Sequence, residues 1–128
     1  MSFTHERTIT YKTGSGTVSN VLTKTSESSV EMTVSIPAET TDMEVDIAID
    51  TAAVKSLLIS ADGALTIETN DGTTPDDTLA VDENEPLTYM VDTEDTLQLT
   101  VDVTKLYVTN AGAAAVTLDI RVLVDATP

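Results

Sequence analysis

The 128-residue sequence contains no cysteine and no tryptophan. Without cysteine, neither a disulfide framework nor a thiolate metal site can form. Its aromatic content is one Phe and three Tyr, and its only histidine is His5. Cations are scarce as well: six Lys plus Arg stand against 22 Asp plus Glu, for a formal charge of −16. A field of that sign repels phosphate backbones and anionic bilayers, so neither nucleic acid nor a membrane surface is an expected partner. No apolar run approaches the length needed to cross a bilayer. The opening MSFTHERTITYK has no apolar h-region and no small-residue cleavage site, which argues against a secretory signal and for folding in a cytoplasm.

What is present is a patterned apolar fraction. Hydrophobic residues make up 41% of the chain, which argues against disorder, and Thr, Val and Ile are abundant. Their β-branched side chains favour the pleated sheet over the helix. The length suits one domain and one core. In TDMEVDIAID, residues 41–50, Met43, Val45, Ile47 and Ile49 share one parity, and Glu44, Asp46, Ala48 and Asp50 the other. The same alternation runs through Val30, Met32, Val34 and Ile36; through Leu97, Leu99, Val101 and Val103; and through Val116, Leu118, Ile120, Val122 and Val124. Shorter forms surround Ile9 and Tyr11, Leu65 and Ile67, Leu79 and Val81, and Leu87, Tyr89 and Val91. A period of two with one polar face predicts antiparallel strands solvated on one side. The carboxylates of 41–50 are then a solvent face, which also discourages edge-to-edge pairing.

Turn chemistry separates these runs. Asp62-Gly63 reads as a tight hairpin, Gly14-Ser15-Gly16 as a second turn, and NDGTTPDD, residues 70–77, as the longest loop. One short helix is expected over TAAVKSLL, residues 51–58, with Asp50 as its N-cap. Residues 43–68 and 96–119 repeat weakly: an alternating strand, an Asp, a link with Lys55 or Lys105, a second strand, a turn holding Gly63 or Gly112, and a third strand. Such a repeat suits two sheets related by pseudo-symmetry. The expected fold is all-β, an antiparallel β-sandwich of jelly-roll type with about ten short strands. Its expected limits are an N-terminal arm over residues 1–6 and a single sandwich domain over residues 7–128.

Candidate chemistry is sparse, and no catalytic residue, metal ligand or cofactor is assigned. His5 lies in the expected arm and not between structured elements, which disfavours a Ser–His–acid site. Paired carboxylates could cleave glycosides, but such sites sit in aromatic-lined clefts. Calcium is the more serious alternative, because Asp71, Asp76, Asp77, Asp82 and Glu83 cluster in and after the long loop. EF-hand spacing is absent there, and an exposed acidic loop is usually just solvated. Arg121 stands beside Asp119 on the polar parity of the final strand, as a surface ion pair or an interface anchor. The segment MSFTHER holds the only Phe and the only His; it is either a free tail or an arm that docks on a neighbouring chain through Phe3 and Arg7.

The run VDVTKLYVTNAGAAAVTLDIRVLVD, residues 101–125, resembles the closing segment of small structural proteins of tailed bacteriophages. The earlier TVSIPAETTDMEVDIAIDTAAVKSLLISADGALTIETNDG is similar in style to the same proteins. The resemblance implies a virion component on the capsid exterior, a head decoration (cement) protein that binds the major capsid shell without catalysis, often as a trimer. A calcium-stabilised adhesion or carbohydrate-binding module, or another phage part such as a tail or fibre component, is the alternative. Homo-oligomerisation is also expected from composition, since closed association hides strand edges and buries apolar surface. With −16 per chain, the interface should be apolar and stabilised by salt.

Overall fold

In the computed structural model, which describes residues 2–125, the alternating segments form ten antiparallel strands. Strands β1 (Phe3–Thr13) and β2 (Gly16–Ser26) pair only with each other. The other eight are β3 (Ser28–Ile36), β4 (Thr40–Ile49), β5 (Val54–Ala61), β6 (Leu65–Thr69), β7 (Thr78–Val81), β8 (Leu87–Met90), β9 (Val103–Asn110) and β10 (Val116–Val124). They form two four-stranded sheets, ordered β3-β10-β5-β8 and β4-β9-β6-β7. Every connection among these eight joins opposite sheets except β6–β7, which stays within one sheet at its edge; this is the jelly-roll wrap of two Greek keys. The expected all-β sandwich is therefore what forms. No helix among the described residues is long and apolar enough to cross a membrane.

The sheet orders carry an internal symmetry. Exchanging β3 with β7, β4 with β8, β5 with β9 and β6 with β10 turns one order into the other read backwards. The sequence repeat is half of this relation. It matches β5 to β9 and β6 to β10, with Leu57 and Leu106 both buried at equivalent places. Its first strands do not correspond, because β4 answers to β8 and not to residues 96–103.

The core lies between the sheets and follows the alternation. Val45, Ile47 and Ile49 of β4 are buried while Glu44, Asp46 and Ala48 are exposed. Leu118, Ile120 and Val122 of β10 are wholly buried, as the inward parity of a central strand requires. On β3, at a sheet edge, Val30, Met32 and Val34 are half-buried.

Three local expectations are corrected. Residues 51–58 are not a helix: Thr51–Ala53 make one 3-10 turn, capped by Asp50 Oδ1 accepting from Ala52 N at 3.1 Å, and a strand follows. The strand wins because β10 and β8 both pair with it, and a bulge opposite Leu123 and Val124 lets Val54 and Leu57 both face the core. Residues 96–102 form no strand, although Leu99 is buried. The Thr100 N–H and hydroxyl instead donate to the Asp77 carboxylate at 2.8 and 2.9 Å, so they are unavailable to a ladder. Asp62-Gly63 is not a hairpin but a corner between sheets. Asp62 stays bonded to β10 through both its N–H to Thr117 O and its carboxylate, which accepts from Thr117 N. A Cβ on Gly63 would sit 2.8 Å from a Val116 methyl, so only glycine fits this corner without displacement.

Candidate functional site

The feature that stands outside the two sheets is the β1–β2 hairpin. Its strands are eleven residues each, and β1 runs unbroken from Phe3 to Thr13, so residues 3–6 share a strand with residues 7–13. Directly opposed residues of an antiparallel pair share a face. One face therefore carries Phe3, His5, Arg7, Ile9 and Tyr11 with their partners Ser26, Lys24, Leu22, Asn20 and Val18. The other is rich in Thr: Thr4, Thr8 and Thr10 on β1, Thr17, Thr23 and Thr25 on β2.

The root of this hairpin is seated on the outer face of the β3-β10-β5-β8 sheet. The pairing register places Ser29, Leu123, Ser56 and Met90 in one row across all four strands of that face. Elsewhere this face carries Glu31, Thr33, Asp119 and Arg121, yet Leu123, Met90 and Ser56 are buried. The row is built to be covered. The Ser26 hydroxyl donates to Val124 O on β10, and Lys55 Nζ donates to Thr25 O at 2.7 Å. His5 Nδ1 lies 2.8 Å from Ser56 Oγ on β5, and Arg7 pairs with Asp95 just beyond β8. Asp95 is held in turn by the Met90 N–H at 3.1 Å. From β10 to the β8 edge, then, the hairpin crosses the strands of the sheet, and residues 8–21 beyond it are all exposed.

A groove of about 500 Å3 runs along this seat, and both arginines, His5, Glu31 and Tyr89 line it. Its cations are matched: Arg121 pairs with Glu31 at 3.3 Å and Asp119 at 3.6 Å, as the ion-pair expectation for Arg121 had it. Burial holds the His5 imidazole below its usual pKa; Glu31 works against this and Arg121 adds to it. The Arg7 hydrogen bond lowers the Asp95 carboxyl, helped by Thr93 and Met90 and opposed by burial. The expectation that His5 stands apart from structured elements is thus overturned. It meets a serine, but Ser56 is only 4% exposed and lies on a strand paired on both sides, not on a turn that presents a nucleophile. The contact seats the hairpin.

The acidic loop uses its carboxylates internally. Asp71 accepts from the N–H groups of Thr73 and Thr74, which lowers its pKa. Asp76 accepts from Asn70 Nδ2 at 2.7 Å, Asp77 from Thr100, and Asp82 from Glu83 N. Among the described residues no three or more such groups converge where a metal could sit. One carboxyl pair that the sequence did not single out is Glu68 of β6 with Asp42 of β4, both in the β4-β9-β6-β7 sheet. The hydrogen bond and charge of Asp42 raise the pKa of the half-buried Glu68, with Asp71 adding to it.

Sequence reasoning named Phe3 and Arg7 as docking residues and placed the turn at Gly14-Ser15-Gly16, but did not show that the strands on either side of it stand outside the two sheets. A signal was there: residues 1–26 hold Arg7, Lys12 and Lys24 against Glu6 alone, so half the cations and a single carboxylate fall in this segment. No family model, no curated protein and no solved structure matches the chain.

Proposed function

We propose that this chain is a structural virion component, a decoration protein that binds the outer surface of a tailed-phage head and stabilises it by contact alone, self-associating as a trimer. The observation that carries the reading is a jelly-roll body with a long hairpin standing off it, whose root is fastened and whose outer half is free. Jelly rolls serve viral capsids, lectins and cupins alike, so the fold alone does not choose among them. An element of this kind is a contact device. An isolated two-stranded hairpin is marginal in water, and residues 8–21 have no sandwich surface beneath them. The acidic body supports an exterior position, since it is repelled by packaged nucleic acid.

Cosedimentation with phage heads that lack the chain tests this. Saturable binding together with a raised temperature of head disruption is the expected result, unchanged by a chelator. Heads that neither bind the chain nor gain stability would refute the reading.

A further inference from the structure

The free half of the hairpin presents Ile9, Tyr11 and Val18, exposed by 44, 70 and 64%, on the face that is partly covered at the root, from His5 and Arg7 to Leu22, Lys24 and Ser26. It is an apolar sheet face with its covering missing. The hairpin segment is net positive, whereas every carboxylate but Glu6 lies on the remaining chain.

A second groove, also of about 500 Å3, opens at one end of the sandwich, where the β5–β6 and β9–β10 turns meet. Leu65, Val81 and Val116 form its apolar floor, and Asp62, Asp82 and Glu85 stand on its rim. A tip with an exposed apolar face and a single cation, Lys12, on its other face meets its complement in an apolar, acidic groove. The chain's own tip does not reach its own groove. The hairpin is rooted where β3 begins and β10 ends, at Ser28 and Val124, whereas the groove lies where β3 ends and β10 begins, at Ile36 and Val116. At about 3.3 Å per residue these ends are roughly 26 Å apart, and the hairpin runs across the strands, not along them.

We infer that the hairpin tip of one copy, through Tyr11, Val18 and Lys12, enters the acid-rimmed groove of a second copy, joining copies head to tail. The inference rests on the self-association part of the function proposed above and not on the identity of the shell. Because the two surfaces differ, the contact is heterologous, and it closes into a ring or continues as a filament according to the rotation between copies. One hairpin is a small contact. Closure, in which each copy gives one and receives one, makes the assembly stable.

Light scattering on the full chain over a concentration series tests the inference, with Tyr11→Ser/Val18→Ser as the tip variant and Asp82→Lys/Glu85→Lys as the groove variant. Ala114→Asp, at an exposed position in the same groove, is a second groove variant, and thermal unfolding checks that each folds. The native chain is expected to form a multimer of defined mass. Each variant alone should need at least about tenfold more protein to associate, and an equimolar mixture of tip and groove variants, at the upper end of the concentration series where a single unclosed contact holds, should form a two-chain species that neither variant forms alone. A native chain that is monomeric throughout, a multimer that survives either class of variant, or a mixture that stays monomeric overturns the inference. A monomer that still binds phage heads would sink head-to-tail joining and leave the decoration reading standing; a multimer indifferent to heads would do the reverse.

Discussion

Asn110 illustrates how single side chains hold this fold. It is 1% exposed, and its Nδ2 reaches the carbonyls of Ile36, Pro37 and Ala114 at 3.1, 3.2 and 2.9 Å while its Oδ1 accepts from Gly112 N at 3.0 Å. It ties the end of β3 to the β9–β10 turn. Asn110→Ala strands several buried polar groups and should cost about 2–4 kcal/mol in urea unfolding. Gly63→Ala pushes a methyl onto Val116 and should cost about 1–3 kcal/mol. His5 gives a pH dependence of definite sign. Its pKa is lowered in the seated hairpin, so the released form binds more protons, and seating weakens as pH falls through the 6.5 of a free imidazole. Asp95, also lowered, keeps its contribution above about pH 4 and loses it below. Between roughly pH 7.5 and 5.5, therefore, His5 governs the change at the seat. The protection of the Phe3–Arg7 amides, after correction for the intrinsic pH dependence of exchange, should fall over that window in the native chain and not in His5→Gln.

Among the elements, the hairpin and the sandwich strands contrast most. Residues 8–21 keep only cross-strand bonds in a solvated pair, so their amides should exchange far faster than those of β10, which is bonded on both sides. The sequence shows the sandwich strands clearly, because burial of one face imposes the alternation seen in β4 and β10. It shows the hairpin's turn at Gly14-Ser15-Gly16 but not that the hairpin stands outside the sandwich. Ile9 and Tyr11 alternate like core residues, and nothing in their spacing says that their apolar face lacks a cover within the same chain. Residues 96–102 mislead in the opposite direction: Leu97 and Leu99 turn inward, but Asp77 takes the Thr100 donors that a ladder would need. A bulge hides β5, since it puts Val54 and Leu57 on one side and breaks the period of two. Long-range partners decided each of these cases, and short-range pattern does not encode them. The same holds for the seat, where His5 meets Ser56 fifty-one positions away.

At the scale of the whole molecule, charge sets the conditions of stability. A formal −16 on 128 residues repels itself in the compact state, with the carboxylates gathered on the sandwich. Raising salt from low to moderate concentration should raise the melting temperature, by about 3–6 °C for each kcal/mol of repulsion screened. A melting temperature that falls with salt would show that the ion pairs of Arg121 and Lys105 outweigh the repulsion. The position of β10 has a further consequence. It lies between β3 and β5 in its sheet, yet it follows every other strand in the sequence. While the chain is being synthesised, β3 and one side of β5 have no partner until the last strand leaves the ribosome. The body therefore cannot mature piece by piece during translation, and ribosome-bound chains halted before Val116 should be open to proteases that spare the finished protein.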